Sequence, residues 1–211
     1  MKVDRARIVD EALLLLNEVG MDALSTRLLA ERLQVRQPAL YWHFKNKRAL
    51  LDAMNREILE RSHTNPLPQE GDDWRRYLTE NTRSFRAALL AYRDAGRVHA
   101  GTEVEPDELP DIEMKTAFLV AHGFEVGEAM MLFIALGRYT LGCVIEEQSD
   151  YPEGPGRGTE LDLAASDYPL LSAGLLHYRD GGHTALFETG LGLILDGAAM
   201  RLAGKAEKSG A

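Results

Sequence analysis

Planar, aromatic and cationic side chains crowd into residues 24–48, LSTRLLAERLQVRQPALYWHFKNKR, at the spacing of two short helices joined by a tight turn. Gln37 carries an amide able to bond bidentately to adenine, and Pro38 and Ala39 offer apolar contact to a thymine methyl. Tyr41, His43 and Lys47 can reach phosphates, and Arg36 places a further cation beside the second helix. Thr26 and Arg27 open the preceding helix, whose unpaired N–H groups attract a phosphate. Trp42 has two readings, along a sugar-phosphate backbone or packed under the next helix. Leu40 and Phe44 lie four apart and form an apolar back able to pack on Leu28 and Leu33. The pattern predicts a helix-turn-helix whose second helix, Gln37 to Phe44, sits in the DNA major groove. Short helices with aromatic residues also build any three-helix core, so the pattern alone leaves that alternative open.

A second group of candidate residues lies in the body. His99 follows a short apolar turn and precedes Gly101-Thr102, so its imidazole can face inward. A lone inward His is more often a hydrogen-bonded core residue than a metal ligand. Mg²⁺ prefers oxygen and keeps most of its waters, so one His holds it only together with a chelating ligand. Asn81, Ser84 and Phe85 share a helix face, which suits either a binding wall or a packing surface. Met130, Phe133 and Ile134 read as plain core from their spacing.

Helices must position all of these. Ile8, Ala12, Leu15, Leu16 and Val19 form one helical stripe closed by Gly20, and Ser25 or Thr26 caps the next helix. Asn46 caps a helix from about Lys47 to Arg61, which Asn65-Pro66-Leu67-Pro68 stops. Further helices are expected at about Asp73–Tyr92, Glu108–His122, Val126–Gln148, Ser166–Tyr178 and Gly182–Leu202. Residues 149–164 read as a mobile loop and 206–211 as a disordered tail. The last helix carries Phe187, Leu191, Ile194 and Ala198 on one stripe, with Gly190, Gly192 and Gly197 suggesting close helix approach. The expected fold is all-α: a three-helix helix-turn-helix domain over 1–48 and a larger helical domain over 49–205.

Charge supports that division. The chain carries net −9, yet residues 1–48 hold nine Lys/Arg against six Asp/Glu, and the remainder holds 15 against 27. A basic head on an acidic body confines phosphate contact to one face, and argues against a non-specific architectural DNA binder. No apolar run reads as a membrane span, and the single cysteine, Cys143, excludes an intrachain disulfide and fits a reducing cytoplasm. A Gly-rich phosphate loop, paired-Cys metal site, nucleophile elbow and HExxH are all missing from the sequence, which argues against an enzyme.

RARIVDEALLLLNEVGMDALSTRLLAERLQVRQPALYWHFKNKRALLDA, and LYWHFKNKRALLDA above all, resembles the head of the tetracycline repressor (TetR) family. The resemblance continues through W74RRYLTENTRSFRAALLAYRDAGRVHAGT, HGF (122–124), YTLGCVIEEQ (139–148) and YPLL…ALFETGL (168–191). It implies a homodimer that binds a palindromic operator and is released by a tetracycline-like or other polyketide effector bound as a Mg²⁺ chelate. Carried over by position, His63, Asn81 and Phe85 would contact the drug's polar ring. His99 would ligate Mg²⁺, while Thr102 and the partner subunit's Glu146 would hold metal-bound waters. Lys115, Met130 and Phe133 would line the pocket, and Leu171, Leu175 and Tyr178 of the second subunit would close it. Helices 126–148 and 182–202 would build a four-helix dimer bundle.

Several departures limit the carry-over. Ala39 replaces the family's usual Thr and Arg36 a frequent Glu, each able to alter operator preference by ~1–3 kcal/mol per base contact. Glu103-Val104 replace an Arg-Pro that moves on drug binding, Lys115 replaces a Gln, and Tyr178 exceeds the usual Met in size. They keep open an alternative, a regulator of the same family answering a different hydrophobic effector without metal.

Overall fold

The structure, a computed structural model, describes residues 3–149 and 164–209. Every regular element among the described residues is helical, as the apolar spacing predicted. In chain order these are α1 (Arg5–Ala23), α2 (Thr26–Arg32), α3 (Gln37–Tyr41), α4 (Lys47–Ser62) and α5 (Trp74–Leu90). They continue with α6 (Ala95–His99), α7 (Leu109–Ala121), α8 (Val126–Ser149) and α9 (Pro169–Ser209), a 3-10 turn at Pro106–Glu108 leading into α7. The chain divides into two compact units, Met1–Leu119 and Val120–Ala211.

In the first unit, one face of α1 (Ile8, Val9, Ala12, Leu13, Leu16) meets Leu29 and Ala30 of α2, Leu40 of α3 and Leu50, Met54 and Ile58 of α4 in a common buried core. Two of the caps, Ser25 and Asn46, are ones the sequence suggested, and Asp4 and Asp73 join them. Asp4, Ser25, Asn46 and Asp73 each accept a backbone N–H in the first turn of α1, α2, α4 and α5. Leu29, fully buried, is the α2 residue that supports the short helix, while Leu28 is only half-buried.

Gly20 ends the regular part of α1 with φ 75°, a value that suits a residue without a Cβ. A Cβ there would lie 2.9 Å from Asp94 Oδ2 and 3.1 Å from the Arg93 guanidinium. The bare backbone therefore lets the α5–α6 connection dock on the end of α1. Asp94 Oδ2 accepts from Met21 N at 2.7 Å, Arg93 N donates to Asn17 Oδ1 at 2.9 Å, and Arg97 forks onto Asp22 at 3.0 and 2.6 Å.

α6 was not anticipated as a helix. Its five residues, Ala-Gly-Arg-Val-His, are too few to show a period, and its start at Asp94 (φ 57°) carries no side-chain cap. The docking just described holds it instead. α3 also departs from expectation, ending at Tyr41 rather than Phe44. Trp42 is its C-cap, although His43 N and Phe44 N still bond back to Leu40 O at 3.0 and 2.9 Å.

In the second unit α8 and α9 lie against each other. The Tyr139 ring stacks on Phe187 at 5.8 Å and 17°, and its hydroxyl approaches both Leu186 O and Phe187 O at 3.0 Å. This contact accounts for Gly190, where a Cβ would lie 2.3 Å from the Tyr139 oxygen. The close approach expected at Gly192 and Gly197 is not made within the chain, since a Cβ at either meets nothing within 4 Å. Phe187, Leu191 and Ala198 are buried as one stripe, joined by Leu195, whereas Ile194 is only half-buried.

α9 is kinked at Gly182 (φ 60°), which divides it into the two helices expected there. Its backbone stays helical to Ser209, so most of the tail expected to be disordered continues the helix, in keeping with the helix-favouring Lys205, Ala206, Glu207 and Lys208. α8 is long and apolar enough to pass for a membrane span by length and composition, with a mean hydropathy of 1.5. Its Gly, Thr and Tyr residues break the uninterrupted runs by which the sequence was judged. The loop expected over 149–164 lies, except for its ends, outside the described residues.

Candidate functional site

The α2–α3 turn is a Schellman closure. Val35 N bonds to Ala30 O at 3.0 Å and Gln34 N to Glu31 O at 3.1 Å, with Gln34 in the left-handed region at φ 56°. A glutamine there costs about 1 kcal/mol relative to glycine. The turn presents the first residues of α2 and α3 side by side: Gln37, itself exposed, donates from Nε2 to Thr26 Oγ1 at 2.8 Å. Trp42 is 89% exposed, which excludes the reading that packs it under α4, and Tyr41 is 48% exposed. Pro38 and Arg36 are exposed and Ala39 half-buried. Two cations have intramolecular work: Lys47 Nζ donates to Leu24 O at 2.7 Å, and Arg27 Nε pairs with Glu31 at 3.0 Å. His43 is half-buried, its carbonyl taken by Arg5, whose guanidinium also lies 4.5 Å from the centre of the buried Phe44 ring.

At the far end of α4, within the same unit, the structure brings together His63, Asn81, Phe85 and His99. Phe85 lies between the two imidazoles, 5.9 Å from His63 and 5.1 Å from His99, tilted at 51° and 71°. His63 Nδ1 lies 2.8 Å from Ser84 Oγ, and Asn81 Nδ2 lies 3.3 Å from His63 Nε2 and donates to Asn65 O at 2.7 Å. The amide N–H makes His63 Nε2 the acceptor, so Nδ1–H donates to Ser84. Burial pulls the His63 imidazole down from 6.5 to about 4, and the charge of Lys115 adds to the effect.

His99 closes α6. Asn55 Oδ1, on a side chain only 7% exposed, lies 2.9 Å from His99 Nδ1, and an amide oxygen can only accept. His99 is therefore held with Nδ1–H toward Asn55 and its Nε2 lone pair available, the tautomer a metal-binding imidazole needs. Burial lowers its pKa, opposed by Glu108 and assisted by Arg48. Thr102 Oγ1 donates back to His99 O at 2.9 Å. Asn55 escaped the sequence reading, although it falls four residues after Leu51 on the buried stripe of α4, where an amide needs a reason.

No three His, Cys, Asp or Glu side chains among the described residues cluster as a metal site. One available His nitrogen beside a hydroxyl suits a hard cation only when that ion arrives with oxygen ligands of its own. A cavity of about 560 Å³ is lined in part by Asn55 and Thr102, and one of about 360 Å³ by His63 and Lys115, while His99, Phe85 and Asn81 line neither. Both fall in the size range of small-molecule sites. Met130, Phe133, Glu146, Leu171, Leu175 and Tyr178 all belong to the second unit, where Glu146, Met130, Leu171 and Tyr178 are exposed and Phe133 and Leu175 half-buried.

The depressed histidines carry a pH signature. A His whose folded pKa falls below its unfolded value takes up its proton first in the unfolded chain, so folding stability is complete above pH 6.5 and declines toward pH 4. Thermal melts from pH 8 to pH 4 should show this loss, and His63→Gln should remove part of it. A decline confined to the acid side of pH 4, where carboxylates such as the Arg97-paired Asp22 titrate, would contradict the assignment to His63.

Residues 8–54 match the family described as "Bacterial regulatory proteins, tetR family", and residues 67–202 match "Tetracyclin repressor-like, C-terminal domain". The chain is 46% identical over 200 residues to the tetracycline repressor protein class A from transposon 1721 of Escherichia coli, covering 95% of this chain and 92% of that one. A TetR variant from Acinetobacter baumannii AYE in complex with minocycline superposes with a TM-score of 0.79 at 42% identity, covering 95% and 99% of the two chains. A class A TetR in complex with 5a,6-anhydrotetracycline and magnesium gives 0.74 at 39% identity, covering 94% and 99%. With both halves of the chain matched and nearly its whole length aligned, this protein belongs to the TetR family of bacterial regulators.

Proposed function

We propose that this chain is a ligand-responsive transcriptional repressor whose homodimer binds a palindromic operator and releases it on binding a tetracycline-like effector together with Mg²⁺. It is a DNA-binding regulator and not an enzyme. The reading head is residues 1–48, with Thr26, Arg27, Arg36, Gln37, Pro38, Ala39, Tyr41, Trp42, His43 and Lys47 facing DNA. Residues 49–205 bind effector and form the dimer. Operator DNA places its work in the cytoplasm.

One observation carries this reading: α4 joins the two sites. Its first turn holds Lys47 and Arg48, its middle holds Asn55 against His99, and it ends at His63. Arg48 Nη1 also donates to Ala100 O at 3.4 Å, so the end of α6 is tied to α4 at two points. The start of α6 is clipped to α1 through Asp94 and Arg97. A ligand that draws His99 to a new position therefore pulls on Asn55 and Arg48 and, through α4, on the head. Release follows if the effector binds the resulting conformation more tightly than the DNA-binding one. Bound Mg²⁺ would supply charge compensation for the effector's chelating oxygens, with His99 and Thr102 and the partner subunit's Glu146 holding it and its waters.

In the second unit Met131 and Leu193, 66% and 70% exposed, line an open cavity of about 560 Å³, and Met200 on α9 is 77% exposed. This apolar face supports dimerisation through α8 and α9, which sets two reading helices ~34 Å apart. The family resemblance assigns effector contacts to Met130 and Phe133, and to Leu171, Leu175 and Tyr178 of the second subunit.

The test is operator release and thermal stabilisation by tetracycline with and without Mg²⁺. Wild type should respond to both together, and Phe85→Ala should require roughly tenfold more drug or worse, having lost a ring that touches both histidines. Undiminished induction in Phe85→Ala would remove the assigned pocket.

A further inference from the structure

We propose that Arg36 reads guanine, so that each half-site of the operator carries a G·C pair beside the pair read by Gln37. The inference rests on the DNA-reading function above and names one base that the head selects. Arg36 is the residue from which α3 starts: its carbonyl accepts from Ala39 N at 2.8 Å, and its side chain makes no capping bond. The Schellman turn with Gln34 at φ 56° fixes the backbone just before it. A recognition helix meets base edges with its N-terminal residues, so Arg36 and Gln37 lead into the groove together. Consecutive Cα atoms stand about 3.8 Å apart, close to the ~3.4 Å step between base pairs. Neighbouring residues at this end of the helix therefore face neighbouring pairs.

The guanidinium is free to make the contact. Arg36 is exposed, and its side chain forms no hydrogen bond or ion pair with any other described residue. The cations around it are largely engaged: Arg5 on His43 O and the Phe44 ring, Arg27 on Glu31, Arg32 on Glu11 and Glu18, and Lys47 on Leu24 O. Lys45 is exposed as well, but it lies past the end of α3. In the major groove guanine presents two acceptors, N7 and O6, which a guanidinium fork meets with two donors. The glutamate that the family resemblance often places here can only accept, for instance from cytosine N4. Its exchange for arginine reverses the hydrogen-bonding demand at this pair.

The test selects operators from random DNA with the full-length wild type, Gln37→Ala and Arg36→Met, each first checked for an unaltered cooperative melt. Arg36→Met should lose a guanine at one pair per half-site, next to the pair where Gln37→Ala loses stringency. Its affinity for the wild-type operator should fall about tenfold per half-site. Replacing that guanine with 7-deazaguanine, which pairs normally but lacks the N7 acceptor, should weaken wild type severalfold and leave Arg36→Met unchanged. An Arg36→Met protein that still selects the guanine, or loses selectivity at a pair not adjacent to that of Gln37, overturns the assignment while the DNA-reading function stands. So does an even loss of affinity for all sequences with a lower salt dependence, which marks a phosphate contact. If wild type selects no sequence at all, the operator-reading function falls and this inference with it.

Discussion

Replacing His99 with alanine is expected to weaken the Mg²⁺-dependent response to tetracycline by about 100-fold or more, while the protein still binds operator. The reason lies in the tautomer. Asn55 takes the Nδ1 proton at 2.9 Å and leaves Nε2 as the one nitrogen at this site able to meet a metal ion. Burial holds the ring neutral, so no proton competes for that lone pair near neutral pH. Alanine removes the donor outright and also strands the buried Asn55 oxygen, which costs about 1–3 kcal/mol of stability. Asn55→Ala separates the two effects. It keeps the imidazole but frees it to rotate and to change tautomer, and loss of such an orienting partner typically costs 10–100-fold. The expected order of response is wild type, then Asn55→Ala, then His99→Ala, read as thermal shift with drug and Mg²⁺ against drug alone. A His99→Ala protein whose Mg²⁺-dependent shift equals that of wild type would falsify the assignment of His99.

What the sequence revealed follows from how far each signal travels along the chain. The caps Ser25 and Asn46, the stop at Gly20 and the stripe of α1 are local, and each was legible as a residue type at a helical spacing. α6 was not, because five residues show no period and the bonds that hold it come from Asn17, Met21 and Asp22, over 70 positions away. The same limit hid Asn55. Sequence spacing placed it on a buried face, but only the fold brings His99 across from 44 residues further on. The exposure of Trp42 was equally undecidable from an aromatic at a helix end, since the choice depended on where α3 stops. Among the glycines of α9, spacing proposed three close approaches and the fold makes one within the chain, at the single place where Tyr139 crosses.

The second large effect should appear on DNA. Gln37→Ala is expected to weaken binding to the protein's own operator and to relax selectivity at one symmetric base pair in each half-site. A bidentate glutamine contact is worth about 1–3 kcal/mol, and a two-fold dimer carries two, so the loss approaches 2–6 kcal/mol per operator. Thr26 enters this account. Its hydroxyl accepts from Gln37 Nε2 at 2.8 Å and fixes the amide before DNA arrives. Thr26→Ala should therefore weaken operator binding with a smaller change in base preference, because the glutamine remains but must be ordered on binding. Lys45→Ala serves as a contrast. An exposed cation just beyond α3 acts on phosphate, so its loss should weaken all sequences alike and lower the salt dependence by about one unit of slope per contact. The operator for these measurements is the sequence that wild type selects from random DNA. If Gln37→Ala selects that same sequence with the same stringency at every position, base reading belongs to other residues, and the exposed Tyr41 and Arg36 become the side chains to substitute next.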